Sequence, residues 1–402
     1  MSHPLIQSLQ AHGDTFIALR RDLHRHPELG LQEVRTSTRI AECLQAWGYE
    51  VHRGLATTGV VGTLRRGSGS RRLGLRADMD ALPLQETTGK PWASAHHGVM
   101  HACGHDGHTA MLLAAARHLA EAATFSGTLH LIFQPAEEHP GGARLMIEQG
   151  LFERFACDAI FAMHNMPGIA QGHFAFRDGP MMASSDDVVI TLDGVGGHGA
   201  MPHRASDPIV AGAAIVSALQ TIVSRNVDPQ HSAIVTVGAF NAGHANNVIP
   251  QTATLLLSVR ALDAGVRNLL EQRIRALVQL QAESFGVQAR VDYKRDYPVL
   301  INDPAATQLA RDVALELVGR ERVTPQCQPF TGSEDFAVML EHCPGSYLLI
   351  GNGDGSGDGQ GSCMVHNPGY DFNDDNVALG AAYWALLAER FLCDTTPTPK
   401  DI

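Results

Sequence analysis

Between residues 72 and 184 short apolar runs alternate with longer segments of helical period, and that rhythm narrows the fold more than any other feature of the chain. "RLGLRADMDAL", "TLHLIFQP" and "DAIFAMHN" read as strands, with "TAMLLAAARHLAEAA" a helix between the first two. Strands that alternate with helices make a largely parallel sheet covered on both faces. Near Ser184 the rhythm changes. "DDVVITLDG" is a strand, and "DPIVAGAAIVSALQTIVSR" a helix with Asp207 as cap and Pro208 in its first turn. Two strands, "AIVTVGAF" and "ATLLLSVRAL", follow; then a helix, "VRNLLEQRIRALVQLQAESFG", closed by Gly286, and a last strand, "QARVDYKRDY". The order β-α-β-β-α-β is that of a ferredoxin-like unit. After it "AATQLARDVALELVG", "SYLLIGNG" and "DNVALGAAYWALLAERFL" restore the first style. At 402 residues the chain exceeds what one core usually serves. The reading is therefore an α/β domain made of 1–184 and 299–402, interrupted by an α+β domain at 185–298. Leu5, Leu9, Phe16, Leu19 and Leu23 mark one N-terminal helix, and the tail "CDTTPTPKDI" is read as frayed.

Composition removes several function classes. A formal net charge of −12 with no Lys/Arg-rich run argues against nucleic acid or an anionic membrane as partner. No stretch is expected to reach the length of a membrane span, and the N-terminus lacks the pattern of a secretory signal. Seven scattered, unpaired cysteines fit reduced thiols in a cytoplasm.

The polar residues of the α/β domain concentrate at one kind of place. Cys103 and His105, in "HACGHDGH", precede the helix expected from Thr109. Asp78 and Asp80 end one strand, Glu137 and Glu138 follow another, and His164 ends a third. Ligands of open α/β sheets bind outside the carboxyl ends of the strands, so these groups share a crevice. His366 joins them from the far end of the chain, after a Gly-rich stretch, "GNGDGSGDGQGS", that lacks a full calcium-loop pattern. Cys103, His105, Glu138, His164 and His366 exceed what one tetrahedral zinc needs and suit two divalent ions. Thiolate with imidazole favours zinc, with manganese, cobalt and nickel as alternatives. In extended chain Glu137 and Glu138 point opposite ways, so one is a ligand and the other a base; spacing alone leaves open which. His101 and His108 are assigned supporting roles, and Asp106 the cap of the helix beside it or support of a ligand.

"RRDLHRHPELGLQE", "LRADMDALP", "MHACGHDGHTA", "FQPAEE", "GGHGAMPH", "NNVIP", "GSEDF" and "HNPGYDFND" occur in this order over nearly the whole chain. Together they resemble the amidohydrolases that include hippurate hydrolase, N-acyl-amino-acid amidohydrolase (aminoacylase) and plant indole-acetyl-amino-acid hydrolases. That branch lies in the metallopeptidase superfamily of glutamate carboxypeptidase. The resemblance implies a di-metal, aminopeptidase-like catalytic domain and an inserted ferredoxin-like lid that also makes a homodimer. It assigns Cys103, His105, Glu138, His164 and His366 as metal ligands and Glu137 as general base. In the lid it gives His198 to the oxyanion and Asn247 to substrate binding. Arg260, in "SVRAL", is a candidate for the substrate carboxylate because its guanidinium is two-pronged. Asp80 stands where related enzymes carry the aspartate of a His-x-Asp motif, and is placed behind the ligands.

The expected activity is hydrolysis of N-acyl-L-amino acids to a carboxylate and a free amino acid, with a dipeptidase or carboxypeptidase on the same machinery as the alternative. A metal- or metabolite-binding protein without catalysis would have no need of a base beside the ligands. A redox protein using Cys103 would need a paired cysteine that is not in its neighbourhood.

Overall fold

The computed structural model describes residues 3–356 and 361–393. Residues 357–360 of the Gly-rich stretch, and the tail from 394 on that was read as frayed, lie outside the described residues. Two compact units result. The larger takes the chain up to Gly179, Ile301–Gln328 and the chain from Val338 on; the smaller takes Pro180–Leu300 and Pro329–Ala337.

The larger unit is built on an eight-stranded sheet in the order Glu50–Leu55, Gly59–Arg66, Gly127–Gln134, Arg72–Asp78, Ala159–Met166, Gly345–Gly351, Phe174–Ala175, Val323–Thr324. The four middle strands are parallel. Ala159–Met166 is buried at every position, as a parallel strand covered on both faces must be. An antiparallel hairpin, Glu50–Arg66, closes one side and makes the sheet mixed. Helix His105–Glu121 makes the crossover between two parallel neighbours, burying Met111, Leu112, Ala115 and Leu119. Helix Asn376–Phe391 lies against it, where a Cβ on Gly380 would overlap the Met111 sulfur. The N-terminal helix is two, Pro4–Gln10 and Gly13–Arg25, because the chain turns at Ala11 and His12.

The smaller unit carries four antiparallel strands in the order Ala233–Ala242, Thr252–Ala261, Ser184–Asp193, Gln288–Arg295, the ferredoxin-like arrangement. Alternate strand residues such as Val188, Ile190, Leu255 and Leu257 share one core with helices Pro208–Asn226 and Ala264–Ser284. Asp207 and Asp263 cap these helices, each accepting a backbone N–H at 2.8 Å. Against expectation, Pro208–Asn226 is long and apolar enough to cross a membrane by length and composition alone; here it buries Ala211, Ile215, Leu219 and Ile222 in the unit's core.

Candidate metal centre

Four segments of the larger unit deliver the expected donors to one place. Cys103 and His105 flank Gly104, whose φ of 97° turns the chain so that His105 opens its helix four residues earlier than expected. Glu137 and Glu138 leave the strand Gly127–Gln134 through Ala136, at φ 52°. His164 lies in the strand Ala159–Met166. His366 is held at φ 65°, its N–H donating to the Ala102 carbonyl at 2.7 Å. Non-glycine residues adopt such angles only where their surroundings hold them there.

Donor atoms of Cys103, His105 and His164 all lie within 4.8 Å of one another, as do those of Cys103, Glu138 and His366, and those of His105, Glu137 and Glu138. Cys103 is common to two of these triads. All five expected donors and Glu137 are thus brought together. The route differs from the extended-chain argument, however. Cys103 and His105 converge across the left-handed Gly104 at the start of a helix, and Glu137 and Glu138 lie in a turn after Ala136 and not in extended chain, so both glutamates face the same cluster.

Hydrogen bonds fix the imidazole tautomers. His105 Nδ1 donates to the Asp80 carbonyl at 2.9 Å, and His164 Nδ1 donates to the Asn165 carbonyl at 2.6 Å. A carbonyl can only accept, so when each ring is neutral the lone pair lies on Nε2 and is available to an electrophile. His105 Nε2 is buried and makes no hydrogen bond, with Asp78 Oδ2 3.8 Å away. His164 Nε2 lies 3.3 Å from Cys103 Sγ, and His366 Nε2 3.0 Å from Glu138 Oε1. Asp80 stands behind the donors, its carboxylate 3.1 Å from His105 Nδ1 and accepting the Glu138 N–H at 3.0 Å.

His108 joins Asp78 and His105 in a further group of possible metal-holding residues. Both its nitrogens are engaged: Nε2 accepts the Asn165 backbone N–H at 3.0 Å, so Nδ1 donates to Asp78 Oδ1 at 2.6 Å. That is the supporting role expected of it. His101 supports nothing by hydrogen bond; both its ring nitrogens are buried without a partner, and burial holds the ring down at about 4. Asp106 is not the helix cap either. Its carboxylate accepts from His24 Nδ1 at 2.9 Å and Arg20 Nη1 at 3.3 Å, locking helix Gly13–Arg25 to helix His105–Glu121.

The electrostatics suit a cation. Burial opposes charge on His105, yet Asp78 and Asp80 raise it to about 10. Burial, then Glu138 and Glu137, push the Cys103 thiol well above its usual range. Gathered carboxylates drive the first shift and add to burial in the second, and a divalent ion is the group that reverses both, turning thiol to thiolate and imidazolium to ligand.

Within the smaller unit His198 and Asn247 are neighbours on exposed backbone. His198 pairs with Val248 across a two-stranded ribbon, Gly199 N–H donates to the Asn247 carbonyl at 2.8 Å, and His198 Nδ1 accepts from the Ala200 N–H at 3.1 Å. That last bond fixes the proton on Nε2 of the neutral ring. Arg260 lies apart from them, its Nη1 donating to Ser333 Oγ at 2.9 Å.

Residues 74–390 match the family described as peptidase family M20/M25/M40. The chain belongs to that family. A hippurate hydrolase of Campylobacter jejuni is 46% identical over 94% of this chain and 96% of its own, and an N-acetyl-L-cysteine deacetylase of Bacillus subtilis is 40% identical over 96% and 89%. Among solved structures, the Bacillus subtilis YXEP protein, a dinuclear metal binding peptidase of the M20 family, superposes with a TM-score of 0.81 at 33% identity, covering 95% of this chain and 99% of its own. In this M20 chain the residues that sequence reasoning passed over are those behind the donors: Glu33, Asn165 and Tyr370, while Asp78 was placed in the crevice without a role. The three bear no metal-binding pattern of their own, and the nearest signal is that Glu33 and Tyr370 fall inside the motifs that carry the family resemblance.

Proposed function

We propose that this chain hydrolyses the amide bond of N-acyl-L-amino acids to a carboxylate and a free amino acid, with two divalent cations held by Cys103, His105, Glu138, His164 and His366. The observation that carries the reading is the meeting of two donor triads through the buried Cys103, with Nδ1 of His105 and of His164 each held by a carbonyl and Nε2 turned to the cluster. The hippurate hydrolase and N-acetyl-L-cysteine deacetylase among its relatives support the choice of substrate class.

When bound, the cations supply Lewis acidity and lower the pKa of water to about 7. Glu137 takes the proton of the attacking water and returns it to the departing amine. His198, protonated on Nε2, is a donor for the developing oxyanion, and Asn247 and Arg260 bind the amino-acid half, Arg260 through the carboxylate. Asp80 holds both His105 and the Glu138 backbone, so it fixes the spacing between a ligand and the segment that carries the base.

Zinc is the favoured metal on the softness of a thiolate, with manganese, cobalt and nickel as rivals. A homodimer made by the lid is supported by the edge position of strand Ala233–Ala242 and by exposed apolar side chains on it and on the helix Pro208–Asn226, namely Phe240 (37% exposed), Ile209 (39%) and Val210 (51%). Cytoplasmic residence is supported by the seven free cysteines.

The rival reading is a dipeptidase or carboxypeptidase, favoured by the superposition on the YXEP protein, itself a peptidase. One experiment separates the two: turnover of hippurate, N-acetyl amino acids and dipeptides by chelated protein refilled with each metal in turn. Preference for the acylated amino acids is the expected result. Dipeptides turning over best would transfer the conclusion to the rival, and no turnover with any metal would reject both.

A further inference from the structure

Asn165 is the least expected residue of the strand Ala159–Met166. Asparagine is depleted in strands, and this one is wholly buried beside the parallel strand Gly345–Gly351. A buried carboxamide has to satisfy two donor and two acceptor sites, and the partners it finds are informative. Its Nδ2 donates to the Cys103 carbonyl at 2.7 Å and lies 3.0 Å from His108 Nε2. Its Oδ1 accepts the Tyr370 hydroxyl at 2.6 Å. On the main chain, its N–H donates to His108 Nε2 and its carbonyl accepts His164 Nδ1.

These partners lie on the segments that carry the candidate ligands. Cys103 and His164 are ligands themselves. His108 hands the contact on to Asp78, whose other oxygen faces His105 Nε2. Tyr370 follows His366 by four residues, in the segment that the His366 N–H ties to Ala102. Gly104 completes the arrangement, since a Cβ there would overlap both Asn165 Nδ2 and the Tyr370 oxygen. Glycine between Cys103 and His105 is therefore needed for Asn165 to approach, as well as for the turn.

We propose that Asn165 is a positioning residue for the metal centre: its carboxamide sets the Cys103 loop, through a donor, and the His366 segment, through an acceptor, at the separation that two cations require. The inference rests on the metal-dependent reading above. An amide is suited to the task because one end donates and the other accepts. Aspartate, of the same size, keeps the bond from Tyr370 but turns an acceptor toward the Cys103 carbonyl and the His108 lone pair.

The test is titration of cobalt(II) into chelated full-length protein, following the thiolate-to-cobalt absorption band, with the melting of the metal-free proteins measured alongside. In Asn165→Asp the affinity falls by roughly 10–100-fold and the thiolate band shifts. In Tyr370→Phe, which removes one hydroxyl, the affinity falls less and the thiolate band stays in place, because Cys103 keeps its amide. A residue that merely fills the strand would change melting without moving the band. Wild-type affinity and an unshifted band in a folded Asn165→Asp would overturn the proposal. Should that variant not fold, Tyr370→Phe decides: unchanged affinity overturns it and a drop supports it. If the unmodified chain binds no cobalt, the metal reading itself fails, a result distinct from either.

Discussion

The wholly buried carboxylate of Glu33 accepts the backbone N–H of Ala136 at 2.9 Å and the Thr58 hydroxyl at 2.6 Å. Ala136 is the left-handed residue directly before Glu137 and Glu138, so Glu33 braces the turn that presents both. Removing the brace in Glu33→Ala should lower kcat by roughly 10–100-fold with a smaller change in KM, because a small displacement of the base is costly. Steady-state kinetics on an N-acyl amino acid check this, and a change confined to KM would contradict it.

The same carboxyl makes a stability prediction. Burial pushes Glu33 up to about 7 from 4.5, against the hydrogen bonds from Thr58 and Ala136 that favour its charge. Between those values the folded chain holds a proton that the unfolded chain has lost, so this group's contribution is full below about 4.5 and declines as pH rises through 7. Glu33→Gln lacks that decline. In urea unfolding at pH 5 and pH 8 the advantage of the unmodified protein over Glu33→Gln should shrink at the higher pH; an advantage that widened would show the shift to have the opposite sign.

Glu137→Gln separates catalysis from binding. The amide keeps the size of the side chain and loses the base, so turnover should drop by roughly 10²–10⁴-fold while metal content by elemental analysis stays at the wild-type level. Retained activity would remove Glu137 from the mechanism.

The fold was legible where a period recurs over a long segment. Ala159–Met166 and the two lid helices follow from apolar spacing, and the β-α-β-β-α-β order led to a ferredoxin-like sheet whose observed strand order agrees. The hairpin Glu50–Arg66 was not legible, because its outer strand buries only Leu55 and carries little apolar pattern. That Cys103, His105, Glu138, His164 and His366 would gather was legible from residue type and place, but the way they converge was not. Glu137 and Glu138 face one cluster because they lie in a turn and not in extended chain, and that turn is entered through Ala136, an alanine that gives no sign that it will be left-handed. The role of Asp106 was hidden for a related reason: its partners Arg20 and His24 lie more than eighty residues away, whereas a helix cap is a local expectation.

Removing the metal should loosen the larger unit. Its donors are spread over four segments that only the fold brings together, so a bound cation stabilises the folded state by mass action, by about 4 kcal/mol at free metal 1,000-fold above its Kd. Chelation should lower the melting temperature and refilling should restore it, with Cys103→Ser showing a smaller response because a donor that belongs to two triads is weakened. Identical melting with and without chelator would argue that the cluster holds no structural share of the ion.

His24 links the centre's outer support to pH. Burial opposes its charge, but Asp106 at 2.9 Å and Glu86 at 3.4 Å outweigh burial and the nearby Arg20, raising the imidazole to about 9 from 6.5. The folded state therefore holds a proton that the unfolded chain releases between those values. The contribution is complete below about pH 6.5 and lost as pH rises through 9, and is on the order of 3 kcal/mol. His24→Gln should accordingly be much less stable than the unmodified chain at pH 6, with the gap closing toward pH 9.5. Asp106 keeps Arg20 in both proteins, so helix Gly13–Arg25 remains attached and the difference isolates the histidine. Urea unfolding across that range reads it directly. A gap that stayed constant with pH would mean that His24 is neutral in the folded protein, and the charged lock between it and Asp106 would have to be abandoned.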